Sequence, residues 1–401
     1  MNERDIVVIG IQDWDIKIGS NCKNIAIAFS EHHRVLYVNP PIDRSSSIFD
    51  RHSARVQRRK KITKKDSSPL IQIKAGLWTY QPQKIVESIN RIPFKKLFDR
   101  LNRINAKRFT SEVQSAIDQL GFSDVIVFND SSMHLGQHVR EFLSPSSYIY
   151  YMRDYLSRNR YWKKHGQRLE PVLIAEADCV VCNSNLYQDY GLQFNRHCYM
   201  VGQGCDTKAF DNRNQVIDVP EVLVKISGPV VGYVGFLSNG RLDPDILIEI
   251  AKNRPDWSLV LVGPEDSVFK ESELHDYPNV YFLGLQPLDS LPGYIQGFDV
   301  ALNPQRITEI TMGNYPRKID EYLAMGKPVV ASMTKAMEYF SDYVYLGESP
   351  EDYLHLIERA LAENTPILED RRRAFASSHT WENNAKAIFS SLEKTRVKDS
   401  R

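Results

Sequence analysis

Lys318 and Glu321 stand three residues apart in NYPRKIDEYLAMGKPVVAS, the segment from Asn314 to Ser332. On a helix that spacing puts an ammonium group and a carboxylate on one face. There they can serve anion and hydroxyl recognition, or simply pair with each other for about 0.2–0.5 kcal/mol. The segment predicts such a helix. Pro316 suits a first helical turn, because its missing N–H would be unpaired there in any case. Ile319, Tyr322 and Leu323 supply an apolar side, and Gly326 can take the left-handed conformation that ends a helix. Lys327 and Pro328 then lead into Val329-Val330-Ala331, a short run of buried-strand type.

Other polar groups gather where predicted strands end. Asp154 follows the strand Ser147–Met152, Asp130 follows Val125-Ile-Val-Phe128 with His134 just beyond it, and Asp15 lies in the loop after Ile6-Val-Val-Ile9. A positioned acid or imidazole there can take a proton from a hydroxyl. Asp154 is the favoured base, and Asp15, Asp130 and His134 are alternates for the base or for an acceptor site. Asp154 could instead cap the next helix or pair with Arg153 or Arg158. In the second half Arg241 follows Val230-Val-Gly-Tyr-Val234 and lies beside Gly235 and Gly240. Glycines let backbone N–H groups approach phosphate oxygens, and the next helix offers its N-terminal dipole.

Three patterns carry less than they spell. Asp243-Pro244-Asp245 reads as a metal-binding D-x-D, yet it is also a helix cap followed by a first-turn proline, which is the reading adopted. His134 and His138 have helical i, i+4 spacing without a third ligand nearby, and zinc needs at least three from protein. Cys179 and Cys182 point to opposite faces of one strand. No metal is expected.

The Asn314 to Ser332 segment resembles the C-terminal donor-site signature of GT-B glycosyltransferases, of the bacterial family 1/4 type. The resemblance implies an α/β fold of two Rossmann-like domains facing a central cleft, with a C-terminal helix crossing back to the N-terminal domain. It implies that Lys318 meets the diphosphate of a nucleotide sugar and that Glu321 holds the ribose hydroxyls, with Asn314 in the same motif. Gly235 and Arg241 would line the phosphates. Gly263 and Leu285, in the turns Gly263-Pro264 and Gly284-Leu285, would sit where main-chain groups can read a uracil edge. The common signature has a second acid eight residues before the ribose-binding one, where this chain has Gly313, and Phe236 stands where the family has Arg. The first departure points away from the usual retaining members and Asp154 offers a base, so inversion is preferred, with a retaining mechanism left open. Tyr151-Met-Arg-Asp-Tyr-Leu-Ser157 is similar to part of a xanthan-type glucuronosyltransferase, in which an acid at the place of Asp154 is the base.

By activity the resemblance implies a hexosyltransferase. It would move a sugar, from a UDP-sugar by expectation, to a saccharide or lipid-linked acceptor in polysaccharide or glycoconjugate biosynthesis, with neither metal nor cofactor. Two rivals stay open. One is a UDP-sugar 2-epimerase-like isomerase, which needs no acceptor. The other is a catalytically silent nucleotide-binding relative acting in an assembly, as Gly313 and Phe236 suggest. A dehydrogenase is disfavoured because no G-x-G-x-x-G follows Ile6 to Ile9.

The elements that must position these residues can also be read. A chain of 401 residues exceeds what one core usually serves, so two domains are expected. Short apolar strands alternating with helices predict parallel sheets covered on both faces, with ligands beyond the carboxyl ends of the strands. The pattern lapses between Gly202 and Gly228. With the roles that the resemblance implies, the expected division is an acceptor-side domain over 1–205, a donor-binding domain over 206–377 and a terminal helix within 378–401.

A formal net charge of +1 gives no ground for nucleic-acid binding. No run approaches the roughly 18 apolar residues of a membrane span. Nor does a charged-then-apolar leader open the chain, so a cytoplasmic protein with reduced cysteines is expected. Two basic segments break the charge balance, Arg51 to Lys65 and Lys96 to Lys107. In the second, Lys96, Arg100, Arg103 and Lys107 recur at helical spacing, while Phe94, Leu97, Phe98, Leu101 and Ile104 mark another side. Such a helix can lie on an anionic membrane surface, here the inner face of the cell membrane, or be an ordinary solvated surface.

Overall fold

Most of the short apolar runs become buried strands, and the polar residues after them lie in the last strand positions or the loops at one end of each sheet. A computed structural model describes residues 3–16, 20–53, 56–57, 68–156, 160–213, 215–309 and 311–399. The chain divides into two units. One comprises residues 1–183, 187–202 and 384–401, the other 184–186 and 203–383. The changeovers fall near 202 and 383, where the expected bounds were 205 and 377.

In the first unit the strands are β1 (Asp5–Ile9), β2 (Arg34–Val38), β3 (Leu70–Lys74), β4 (Leu77–Tyr80), β5 (Ile126–Asp130), β6 (Ser147–Met152), β7 (Cys179–Cys182) and β8 (Cys198–Met200). Their order across the sheet is β3-β4-β2-β1-β5-β6-β7-β8. Neighbours pair in parallel except β3 with β4, which run antiparallel. This antiparallel edge departs from the all-parallel expectation. Gly76, at φ 75°, makes the tight turn that a left-handed residue allows. Most of β3 is exposed, so its sequence lacks the apolar run that betrays the other strands.

The helices that matter for the site are α1 (Asn21–Phe29), α2 (Lys95–Leu120), α3 (Met133–Gly136), α4 (Val139–Leu143) and α5 (Arg160–Glu176). The side of α2 that meets the core carries Phe98, Asn102, Asn105, Ala106 and Phe109. Of the residues expected to form its apolar side, Phe98 is buried, while Phe94, Leu97 and Ile104 are exposed. Counting apolar spacing does not tell which side of a helix meets the sheet. The helix expected to carry both His134 and His138 is broken between α3 and α4.

The second unit holds β9 (Val230–Val234), β10 (Ser258–Val262), β11 (Val280–Gly284), β12 (Val300–Asn303), β13 (Val329–Ser332) and β14 (Tyr345–Gly347). They are parallel, in the order β11-β10-β9-β12-β13-β14. Alternation along β9 sends Val230 and Val234 to one face and Val231 and Tyr233 to the other. Helices α6 (Pro244–Asn253) and α7 (Lys318–Ala324) follow β9 and β12. Helix α7 packs Ile319, Tyr322 and Leu323 into the first of those faces, each such side chain contributing about 1.5–3 kcal/mol by burial. It ends as expected: Gly326 has φ 76°, and the Lys327 N–H bonds to the Tyr322 carbonyl at 3.0 Å.

The terminal helix α8 (Trp381–Asp399) buries Ala385, Ile388, Phe389 and Leu392. Phe389 packs 5.1 Å from Phe29 of α1, and the Asn384 amide donates to the Val201 carbonyl at 2.9 Å. From Asn384 onward the helix therefore belongs to the first unit. Among the described residues no helix is long and apolar enough to cross a membrane.

Candidate active site

In the second sheet the strand order turns between β9 and β12, and such a switch point opens a crevice beyond the strand ends. There β9 runs into Gly235, whose φ of 149° is one that side chains rarely adopt, and a Cβ on it would lie 2.6 Å from the Lys318 Nζ. Gly263, after β10, has φ 148°, and a Cβ there would lie 1.9 Å from the Gly235 carbonyl oxygen. Two backbones thus touch where only glycine fits. The loop after Gly235 is stitched to the loop after β10. The Leu237 N–H bonds to the Pro264 carbonyl at 2.9 Å, and the Asn239 N–H to Asp266 Oδ2 at 2.8 Å. Arg241 leaves this loop exposed. Asp243 caps α6 by accepting from the Asp245 N–H at 3.2 Å, with Pro244 in the first turn.

The first turn of α7 brings the cation and the acid to this place. The Ile319 N–H already bonds to the Pro316 carbonyl at 2.9 Å, so the turn opens two residues before the α-helix proper. Lys318 donates to the Tyr233 hydroxyl at 2.5 Å, and its Nζ lies 3.9 Å from the centre of that ring. Burial lowers its pKa to about 7; Glu321 works against that shift and Arg241 adds to it. Glu321 accepts from Arg317 Nε at 3.1 Å. Burial raises its pKa, against the pull of Arg317 and Lys318. Lys318, Glu321, Gly235, Gly263 and the charge of Arg241 therefore share one neighbourhood. Asn314 is half-buried, its N–H bonded to the Thr311 carbonyl at 3.0 Å. Leu285, after β11, is 77% exposed.

Sequence reading missed Tyr233, the seat of Lys318, and Arg317, the partner of Glu321. Arg317 was open to discovery by its i, i+4 spacing, and Tyr233 by its place two residues before the glycine. It also missed what holds α7 in place. Buried Asp320 accepts from the Tyr315 hydroxyl at 2.8 Å and lies 2.7 Å from His379 Nδ1. The Tyr322 hydroxyl accepts from the Val234 N–H at 2.9 Å.

In the first unit the switch falls between β1 and β5. Asp130, at the end of β5, is wholly buried. Arg153 grips it with Nε at 2.8 Å from Oδ1 and Nη2 at 3.2 Å from Oδ2, and reaches Asp154 with Nη1 at 2.9 Å. Burial opposes the Arg153 charge, but Asp130 more than restores it, so its pKa is raised. Asp154 remains 44% exposed and is the accessible carboxylate of the pair. Asp15 is exposed, beside Trp14, whose N–H bonds to Asn39 Oδ1 at 2.7 Å.

His134 lies elsewhere, in α3 rather than on a loop, among Phe98, Trp162 and His165. Burial first, then the charges of His165 and Arg168, lower its pKa to about 3. Gly19, Ser157, Arg158 and most of the Arg51 to Lys65 segment, with Arg55 and residues 58 to 65, lie outside the described residues.

Residues 228–363 match the sequence model of the family described as Glycosyl transferases group 1. That span encloses β9, both glycines, Arg241, Lys318 and Glu321. The fold is shared with solved structures along nearly the whole chain. HepE from Anabaena, in complex with UDP, superposes with a TM-score of 0.67 at 14% identity, covering 98% of this chain and 100% of that one. The E. coli trehalose-6-phosphate protein bound with UDP-2-fluoro glucose gives 0.69 at 10% identity, covering 97% and 98%. Sucrose-phosphate synthase from Thermosynechococcus elongatus gives 0.66 at 15%, covering 99% and 100%. The chain has a GT-B fold, and its residues 228–363 are similar to the group 1 glycosyltransferases. It is also 29% identical over 223 residues to the putative teichuronic acid biosynthesis glycosyltransferase TuaH of Bacillus subtilis. That match spans 52% of this chain and 55% of the relative, about half of each. Within the matched residues, the glycine pair and the first turn of α7 bring backbone and the Lys318 ammonium group together.

Proposed function

We propose that this protein is a glycosyltransferase that moves a sugar from a UDP-sugar to a saccharide or lipid-linked acceptor. Assembly of a surface polysaccharide or another glycoconjugate, on the cytoplasmic side of a membrane, is the setting. The observation that carries the reading is Lys318, held over Tyr233 at the glycine-lined end of β9, with Glu321 one turn away.

The chemistry comes from charge. As an acceptor oxygen attacks the anomeric carbon, the bond to the diphosphate breaks and the leaving group takes the electron pair. Lys318 and Arg241 stabilise that developing charge, and Glu321 accepts hydrogen bonds from the ribose hydroxyls. Asp154 takes the acceptor's proton as general base, which gives inversion at the anomeric carbon. With these two cations facing the phosphates and Asp243 engaged as a helix cap, no divalent metal is needed. The uridine ligands of the HepE and E. coli neighbours support the choice of UDP. The teichuronic acid relative supports a cell-surface polymer.

A thermal-shift panel of nucleotide sugars tests the donor. A ligand present at a hundred times its Kd should add about 2.7 kcal/mol of apparent stability. If the Lys318→Ala/Glu321→Ala variant keeps that response to every stabilising compound, the donor assignment is wrong. Asp154→Asn should retain donor binding while turnover falls by about 10²–10⁴. Nucleotide binding without transfer to any acceptor pool would favour the silent relative.

A further inference from the structure

The outward side of α2 presents two stripes that the core does not use. Phe94, Leu97 and Ile104 form one and are 69, 46 and 38% exposed. Lys96, Arg100, Arg103 and Lys107 form the other, all exposed. Both run along the same length of helix, about 15 Å from Phe94 to Ile104 at 1.5 Å per residue. Between Lys95 and Ser111 the one acid is Asp99, which pairs with Arg168 of α5. Glu141 of α4 is likewise engaged by Arg103 and His138. Lys95, Arg100, Arg103, His138 and Arg168 then line a cavity of about 490 Å³ between α2, α4 and α5, with the Arg168-paired Asp99, Gln137, Leu169 and Val172 also in its wall. Lys95 and Lys96 stand in the first turn of α2, where positive charge opposes the helix dipole, and Phe94 provides no side-chain cap. An anion at this end would relieve both.

We propose that this face docks on an anionic lipid bilayer, with a headgroup phosphate in the basic cavity and Phe94, Leu97 and Ile104 entering the acyl boundary. Parallel basic and apolar stripes match such a surface, which offers negative charge and hydrocarbon at neighbouring depths. A soluble polyanion would leave the apolar stripe wet, and a second copy meeting this face symmetrically would bring cations against cations. The proposal deepens the membrane-side setting given above. Its readout needs no sugar transfer, so the two can fail separately.

Co-sedimentation of the whole protein with phosphatidylglycerol–phosphatidylcholine vesicles, against phosphatidylcholine alone, tests it. Binding is expected to the anionic vesicles and to weaken with salt. Lys96→Gln/Arg100→Gln/Lys107→Gln should weaken it by about 100-fold, roughly fivefold for each cation near the surface. Leu97→Ser/Ile104→Ser should abolish it with the thermal midpoint and UDP binding unchanged. Equal binding to neutral vesicles, or full binding by both variants, overturns the proposal. So does a dimer in sedimentation equilibrium that Leu97→Ser/Ile104→Ser dissociates while vesicles are ignored.

Discussion

Lys318 is a residue whose surroundings change its chemistry. Its ordinary pKa of 10.5 falls to about 7 in the folded protein, chiefly by burial. Between those values the unfolded chain binds the extra proton, so this residue makes stability rise with pH from about 7 toward 10.5. Lys318→Met should flatten that rise in thermal melts taken at pH 7, 8 and 9. A bound diphosphate favours the charged amine, so UDP binding at pH 8 should take up a proton. Calorimetry in two buffers of different ionisation enthalpy measures that uptake, and the affinity should fall by up to about tenfold per pH unit above 7. His134 has the opposite practical meaning. With a folded pKa of about 3 against an ordinary 6.5, it is neutral wherever an enzyme of this kind works. The unfolded chain protonates first, so stability is lost as pH falls below 6.5, by at most about 1.4 kcal/mol per unit. The neighbouring His165, also lowered, acts in the same sense. His134→Leu should therefore make acid melts between pH 6 and 4 less steep and leave the pH dependence of turnover unchanged.

At the scale of elements, the loops after β9 and β10 are set by backbone contact more than by side chains. Gly263→Ala places a methyl group against the Gly235 carbonyl and forces an unfavourable φ. A cost of about 1–3 kcal/mol is expected in urea unfolding, together with loss of the UDP response. Asp243→Ala removes the cap of α6 and should cost about 1 kcal/mol. If the cap is its whole role, EDTA leaves the turnover of both wild type and variant unaltered. Most of these elements were legible in advance. Val230–Val234 is both the expected and the observed strand, and Asp243-Pro244 declared its helix start. The β3–β4 hairpin was not legible, because Gln72 and Lys74 interrupt its pattern on an exposed edge. The helical period of α2 is plain in its sequence, but its faces are not: Asn102 and Asn105 line the buried side while Phe94 and Leu97 face out.

At the scale of the whole molecule, two sheets of the same kind are served by different parts of the chain, and the last helix returns to the first unit. Phe389, buried against Phe29 and His33, is the anchor of that return. Phe389→Ala should cost about 3–5 kcal/mol, seen as earlier unfolding of the first unit by hydrogen exchange at β1 and α1. The sequence by itself determined what neighbours along the chain decide: most of the parallel-strand segments, the start and stop of α7, the glycines after β9 and β10, and the placing of Lys318 and Glu321 on one face. Period, cap and φ are properties of a few consecutive residues. Only the tertiary structure decided that Tyr233, 85 residues before Lys318, seats its ammonium group. It likewise decided that Arg153 holds Asp130 and leaves Asp154 accessible, and that His134 lies among aromatic rings. Desolvation and pairing depend on which distant groups close over a side chain, and that information exists only once the chain has folded.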